Sequence, residues 1–203
     1  MKQPNLILAR ATLNPVNPDV RHLLDNRERI HAAIAKATDG ATRPLWRLDD
    51  DRIYVLTDRL DTDRLSARLG NAPIAIKDYA QHLARTLKPG ANLRFNIETT
   101  PCRTVKRPGQ RGHVLTIRDP QQQLEWLNNK LEQGGATMTS GYITSHAPIS
   151  FDKPDGHTIT FGTVTYTGTL TVNDPTRLHA TILNGIGREK AYGMGFLLTF
   201  SPA

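Results

Sequence analysis

Asp119-Pro120-Gln121-Gln122-Gln123-Leu124-Glu125-Trp126-Leu127-Asn128-Asn129-Lys130-Leu131-Glu132-Gln133-Gly134-Gly135 is the stretch from which the architecture can be read. An acid followed by proline opens a helix, because aspartate caps the free amides of the first turn and proline has no amide to leave unpaired there. Leu124, Leu127 and Leu131 recur at helical spacing, and Gly134-Gly135 stops the run. The same punctuation returns at Asp174-Pro175, with Leu178 and Ile182 on one face and Gly185 as the stop. Between the two helices lie β-rich segments, about Thr137 to Ile149 and Thr158 to Val172, split by Asp152-Lys153-Pro154-Asp155-Gly156. A strand from Asn92 to Thr100 precedes this block and one from Phe196 to Phe200 closes it. The order is βαββαβ.

The first half repeats that order. Leu6 to Thr12 reads as a strand ended by the turn signals Asn14-Pro15 and Asn17-Pro18. A helix is expected from about Asn26 to Ala37, stopped at Asp39-Gly40. Leu45 to Leu48 and Ile53 to Leu56 flank the polar turn Asp49 to Arg52 as a hairpin. Asp61 to Leu69 is a short capped helix ended by Gly70, and Pro73 to Ile76 a last strand. Asp78 to Leu87 fits helix or linker, and Lys88-Pro89-Gly90 marks the expected boundary. The fold class is therefore α+β, with tandem ferredoxin-like, RRM-like βαββαβ domains over residues 1–88 and 89–203.

Composition narrows the function. The chain has 203 residues, with 26 Lys+Arg against 19 Asp+Glu for a net charge of +7. Such an excess favours a polyanionic partner. Cys102 is the one cysteine, which excludes an internal disulfide framework and by itself builds no zinc site. His82, His113, His146, His157 and His179 are scattered without ligand spacing, so neither metal nor cofactor is expected. The N-terminal apolar run is too short for a signal peptide, and no stretch approaches the ~20 apolar residues of a membrane span. A cytoplasmic location and no membrane partner are expected.

Gly185-Ile186-Gly187-Arg188-Glu189-Lys190-Ala191-Tyr192-Gly193-Met194-Gly195 sets two Gly-apolar-Gly units about a spacer carrying Arg188 and Lys190. Glycine permits positive φ and close backbone approach, and consecutive amides can cradle an anion. Neither the dinucleotide fingerprint nor a Walker loop fits, so a polymer backbone is the better anion. The alternative is a plain turn between helix and strand. The frame resembles the glycine-rich loop of the RAMP superfamily of CRISPR-associated RNA-binding proteins. From Gly185 to Pro202 it is similar to the C-terminus of its CasE branch, the crRNA-processing endoribonucleases of type I-E Cascade. Leu13-Asn14-Pro15, Arg21-His22-Leu23-Leu24, Arg29-Ile30-His31-Ala32-Ala33 and Leu45-Trp46-Arg47-Leu48-Asp49 resemble that branch's N-terminal region in order and spacing. The tandem fold agrees with the resemblance.

His31 lies about 110° from the centre of the apolar face Ile30, Ala33, Ile34 and Ala37, on the helix shoulder beside Arg27 and Glu28. From position alone an ordinary boundary histidine is the alternative. The resemblance implies that His31 is catalytic and, less directly, that Lys36 takes part. Many family members carry a tyrosine where Glu28 stands, so a tyrosine-assisted mechanism is not implied. His22 is the nearby competitor. RNA supplies its own nucleophile, the 2′-hydroxyl, so proton transfer by histidine and charge stabilisation by cations suffice for cleavage. The expected products are a 2′,3′-cyclic phosphate and a 5′-hydroxyl.

Arg103-Thr104-Val105-Lys106-Arg107-Pro108-Gly109-Gln110-Arg111 holds four cations and no acid, read as a flexible loop that tracks phosphates or as a solvated surface. Candidate RNA contacts are thus Arg27, Arg103, Lys106, Arg107, Arg111, Gly185, Gly187, Arg188, Lys190, Gly193 and Gly195. Trp46 and Trp126 read as core anchors. The expected function is a metal-independent endoribonuclease that cuts precursor crRNA at repeat hairpins and stays with the other Cascade subunits. A non-cleaving RNA-binding subunit of the same fold is the alternative.

Overall fold

The computed structural model describes residues 6–105 and 112–201. The first half runs β1 (Ile7–Thr12), α1 (Pro18–Leu24), α2 (Arg27–Ala37), β2 (Leu45–Asp49), β3 (Arg52–Thr57), α3 (Thr62–Arg68), β4 (Ile74–Asp78) and α4 (Tyr79–Thr86). Its sheet has the order β2-β3-β1-β4. The second half runs β5 (Asn92–Thr99), β6 (Cys102–Val105), β7 (His113–Thr116), α5 (Pro120–Gln133), β8 (Ala136–Asp152), β9 (Thr158–Val172), α6 (Pro175–Asn184) and β10 (Leu198–Phe200). Its sheet has the order β10-β5-β9-β8. Each sheet is antiparallel, with the unit's first and third strands central and its fourth and second at the edges. This is the ferredoxin-like permutation, used twice.

Two helices go beyond the sequence expectation. Asn17-Pro18, read as a turn, starts α1: the Asn17 side chain accepts from the Asp19 amide and Pro18 occupies the first helical position. The ambiguous stretch after Asp78 is α4, capped by the Asp78 side chain on the Gln81 amide. The basic segment is corrected too. Arg103 lies on β6, paired with β7 as a small separate sheet, because Val105 and Val114-Leu115 support strand pairing. The final strand is shorter than expected, starting at Leu198 after the left-handed Gly195.

The halves share a core. Leu45 and Leu56 of the first sheet join Phe95, Ile97, Leu127, Tyr166 and Leu178 of the second half. Trp46, one residue on, faces the opposite way into the α2–α3 core with Ile30, Ile34 and Leu65. Leu45, Trp46 and Arg47 are all buried, since β2 is an edge strand covered on both faces. The glycine-rich loop packs against the Leu45 and Trp46 side chains of this strand. Among the described residues no helix is long and apolar enough to cross a membrane.

Candidate functional site

Helix α2 is fixed at its N-terminus from two directions. The Asn26 side chain accepts from the Glu28 amide at 2.8 Å, and its Nδ2 donates to the Asp152 carbonyl at 2.8 Å. Asp152 ends β8, so the tip of the long β8–β9 hairpin reaches back across the molecule onto the first half. His31, one turn along, is half-buried and meets the Tyr192 ring edge-on, with centroids 6.1 Å apart at 72°. Tyr192 rests on Phe151 at 4.7 Å and Phe161 at 6.2 Å, both from the hairpin. Four aromatic rings from three distant segments thus converge, the histidine among them.

Charges surround that cluster. Burial pushes the Tyr192 phenol above the usual tyrosine range; the Glu28 carboxylate adds to this and Lys153 opposes it. The Tyr192 hydroxyl in turn holds the exposed Lys153 ammonium above its ordinary value, with a smaller push from Glu28. One carboxylate oxygen of Glu28 is buried without a hydrogen-bond partner.

On its other side His31 lines a pocket of ≈360 Å³ with Thr38, Arg43, Trp46, Lys190 and Ala191. Lys36 is not among the lining residues. It is exposed on α2, and five residues beyond His31 a side chain is turned about 140° around the helix. His22 is exposed on α1, where Arg29 Nη1 approaches its Nδ1 at 3.3 Å and donates to its carbonyl at 2.6 Å. It does not approach the pocket.

Two expectations are corrected here. Arg27 does not project from the helix surface. Its guanidinium lies 5.6 Å from the centre of the Trp46 ring, and one of its nitrogens is buried without a partner. Burial lowers its pKa, Glu98 counters that and Arg47 adds to it, which places Arg27 in the seam between the halves. Arg47, itself buried, donates there to Asn96 Oδ1 at 2.5 Å.

The glycine frame is also not an open amide cradle at three of its four glycines. Gly185 N–H donates to Thr181, Gly193 N–H to Lys190 and Gly195 N–H to Glu98, all backbone carbonyls. The close approach that glycine permits is made to the protein itself. Gly193 (φ +87°) lies flat on Trp46, whose Nε1 donates to the Ala191 carbonyl at 3.0 Å. Gly195 (φ +81°) sits against the Ile186 carbonyl. The frame is a rigid bracket that hangs Lys190 and Tyr192 over α2 and leaves Arg188 at the surface. Gly187 packs against Thr99 and Trp126.

Arg103 is exposed on β6, while Lys106, Arg107 and Arg111 lie outside the described residues. Beside β6 runs a second groove of ≈620 Å³ lined by Cys102, Thr104, Lys130, Arg177, Gly187 and Arg188. Burial pushes the Cys102 thiol up, so it is a poor nucleophile. Among the described residues no group of three His, Cys, Asp or Glu side chains is placed to hold a metal ion.

Sequence reasoning missed Arg43, Lys130, Lys153, Phe151, Phe161, Arg177 and Tyr192. Tyr192 stood inside the quoted glycine frame, and the hairpin tip stood out for its charges. No local signal singles out Arg43, because its importance comes from what folds against it.

The sequence family described as CRISPR associated protein matches residues 6–202. CRISPR-associated endoribonuclease Cse3 of Thermus thermophilus is 30% identical over 222 aligned positions, spanning 96% of this chain and 99% of its own. The CRISPR system Cascade subunit CasE of Escherichia coli is 32% identical over 124 positions, 57% of this chain and 61% of its own. A structure of CRISPR endoribonuclease Cse3 bound to a 19-nucleotide RNA superposes with a TM-score of 0.81 at 26% identity, covering 97% of this chain and 99% of that one.

Proposed function

This chain belongs to the CRISPR associated protein family, and from that premise we propose that it is a metal-independent endoribonuclease that cuts precursor crRNA at repeat hairpins. It stays with the product as a Cascade subunit, as the likeness to CasE supports, and works in the cytoplasm. The observation that carries the reading is His31, half-buried between an aromatic cluster and a cation-lined pocket. In the reaction the 2′-oxygen forms a bond to phosphorus as the bond to the 5′-oxygen breaks. The hydroxyl's proton leaves to a base and the 5′-oxygen gains one, giving a 2′,3′-cyclic phosphate and a 5′-hydroxyl. His31 performs one of these transfers, and Lys190 offsets charge on the phosphoryl oxygens. The first unit, residues 1–88, carries His31. The second, residues 89–203, carries the glycine bracket, Arg188 and the basic arm with Arg103. The catalytic part that the resemblance implies for Lys36 has no support from the pocket, which Lys36 does not line.

The test is cleavage of a repeat hairpin in excess EDTA. Wild type cuts it to a cyclic phosphate, and a 2′-deoxy nucleotide 5′ of the cut blocks the reaction. His31→Ala lowers the rate about 10²–10⁴-fold with affinity kept, whereas His22→Ala is neutral. The non-cleaving alternative draws on Glu28, which stands where family members carry tyrosine. Tight binding without cleavage by wild type would establish that alternative.

A further inference from the structure

Arg43 lies between α2 and β2. It lines the His31 pocket together with Lys190 and also borders a groove lined by Leu83, Leu87 and Leu183. Two cations on one small pocket repel each other unless something negative sits between them. Asp39 lines the same pocket, yet among the described residues neither Arg43 nor Lys190 forms an ion pair. Burial and the Arg43 charge together hold the Lys190 ammonium below its ordinary range. The backbone of Arg43 is left-handed (φ 25°), a costly conformation for a residue with a side chain and one met where surrounding structure imposes it for function. Pro44 follows immediately and restricts that backbone further.

We propose that Arg43 is a further direct contact to the non-bridging oxygens of the phosphodiester that is cut, reaching it in the pocket it shares with His31 and Lys190. The inference rests on the endoribonuclease reading. The guanidinium presents a planar fork of donors to two phosphate oxygens, while Lys190 acts as a point charge from the bracket side. A volume of ≈360 Å³ is the share of about a dozen waters, room for a phosphate with its sugar. His31 then borders the phosphorus that its proton transfer serves, and neither cation is already held by a carboxylate that RNA would have to displace.

Two measurements decide it. Single-turnover cleavage of the hairpin should slow roughly 10²-fold in Arg43→Gln and in Lys190→Gln. Binding of the uncleavable 2′-deoxy hairpin should change by no more than about threefold, since each variant removes one of many cations that face phosphates. Independently, the His31 ring-proton resonance is titrated with inorganic phosphate. A saturable shift in wild type that disappears in both variants supports the contact. Arg43→Gly relieves the left-handed strain, so it should melt no lower than wild type while losing the phosphate response. A phosphate shift that is absent, or equal in wild type and variants, overturns the proposal. Wild-type cleavage by Arg43→Gln also overturns it. A wild-type protein that fails to cut RNA sinks the endoribonuclease reading instead, and the phosphate titration still decides the pocket.

Discussion

Replacing Gly193 by alanine tests whether the glycine frame is a bracket or an open loop. At φ +87° a side chain incurs the left-handed penalty, roughly 1–2 kcal/mol. The new Cβ would stand 2.8 Å from Trp46 Cζ3 and 3.0 Å from Cε3 and Cη2. Trp46 is 1% exposed and tied by its indole N–H to Ala191, so the ring cannot swing away. Overpacking of this kind costs about 1–3 kcal/mol more, and the substitution should therefore destabilise by about 2–5 kcal/mol. Gly90 is the control: its φ is +77° and an added Cβ meets no atom within 4 Å. Gly90→Ala should show the backbone cost alone. For a chain of this size each kcal/mol lowers Tm by roughly 2–4 °C, so thermal unfolding separates the two variants. A Trp46→Leu background should recover the steric part but not the backbone part, measured as a coupling energy in a double-mutant cycle. Equal Tm losses for Gly193→Ala and Gly90→Ala would refute the bracket, because the approach to the ring would then carry no energy.

Neutralising Arg103, Lys106, Arg107 and Arg111 together should weaken hairpin binding and reduce the slope of log K against log salt by roughly one for each phosphate the segment no longer neutralises; an unchanged slope would return it to solvated surface. Stability should fall as pH rises past ~10. Tyr79 and Tyr166 are buried, and burial holds both phenols above the ordinary range. Above the ordinary tyrosine pKa the unfolded chain has shed protons the folded chain keeps, so unfolding is favoured by up to about 1.4 kcal/mol per pH unit for each of the two buried tyrosines, Tyr79 and Tyr166. Urea midpoints between pH 9 and 11 read this directly, and Tyr166→Phe should flatten the profile. A pH-independent midpoint across that range would contradict the burial argument.

Much of the scaffold was legible because its signals are local. An aspartate before a proline caps a helix wherever the chain later goes, and the spacing of Leu124, Leu127 and Leu131 carries its own face. Local signals also failed in predictable places. Asn17-Pro18 begins a helix with the same residues that make a turn, and the choice rests on Val20 and Leu23 finding a core. The pairing of β6 with β7 needed Val105 to meet His113 across the segment between them.

The site divides along the same line. From the sequence alone came His31 on the shoulder of its helix, the basic excess, the glycine frame and the family likeness. These depend on composition and on short-range spacing, which survive without a fold. Tertiary structure alone turned Arg27 into the seam, committed three of the frame's four glycine amides to the chain's own carbonyls, and set Tyr192 and Lys190 about His31 from some 160 positions away. It also brought Arg43 and Lys190 to one pocket. Side-chain direction, burial and charge pairing across such separations are settled when sheets and loops pack, and no periodicity along the chain encodes them.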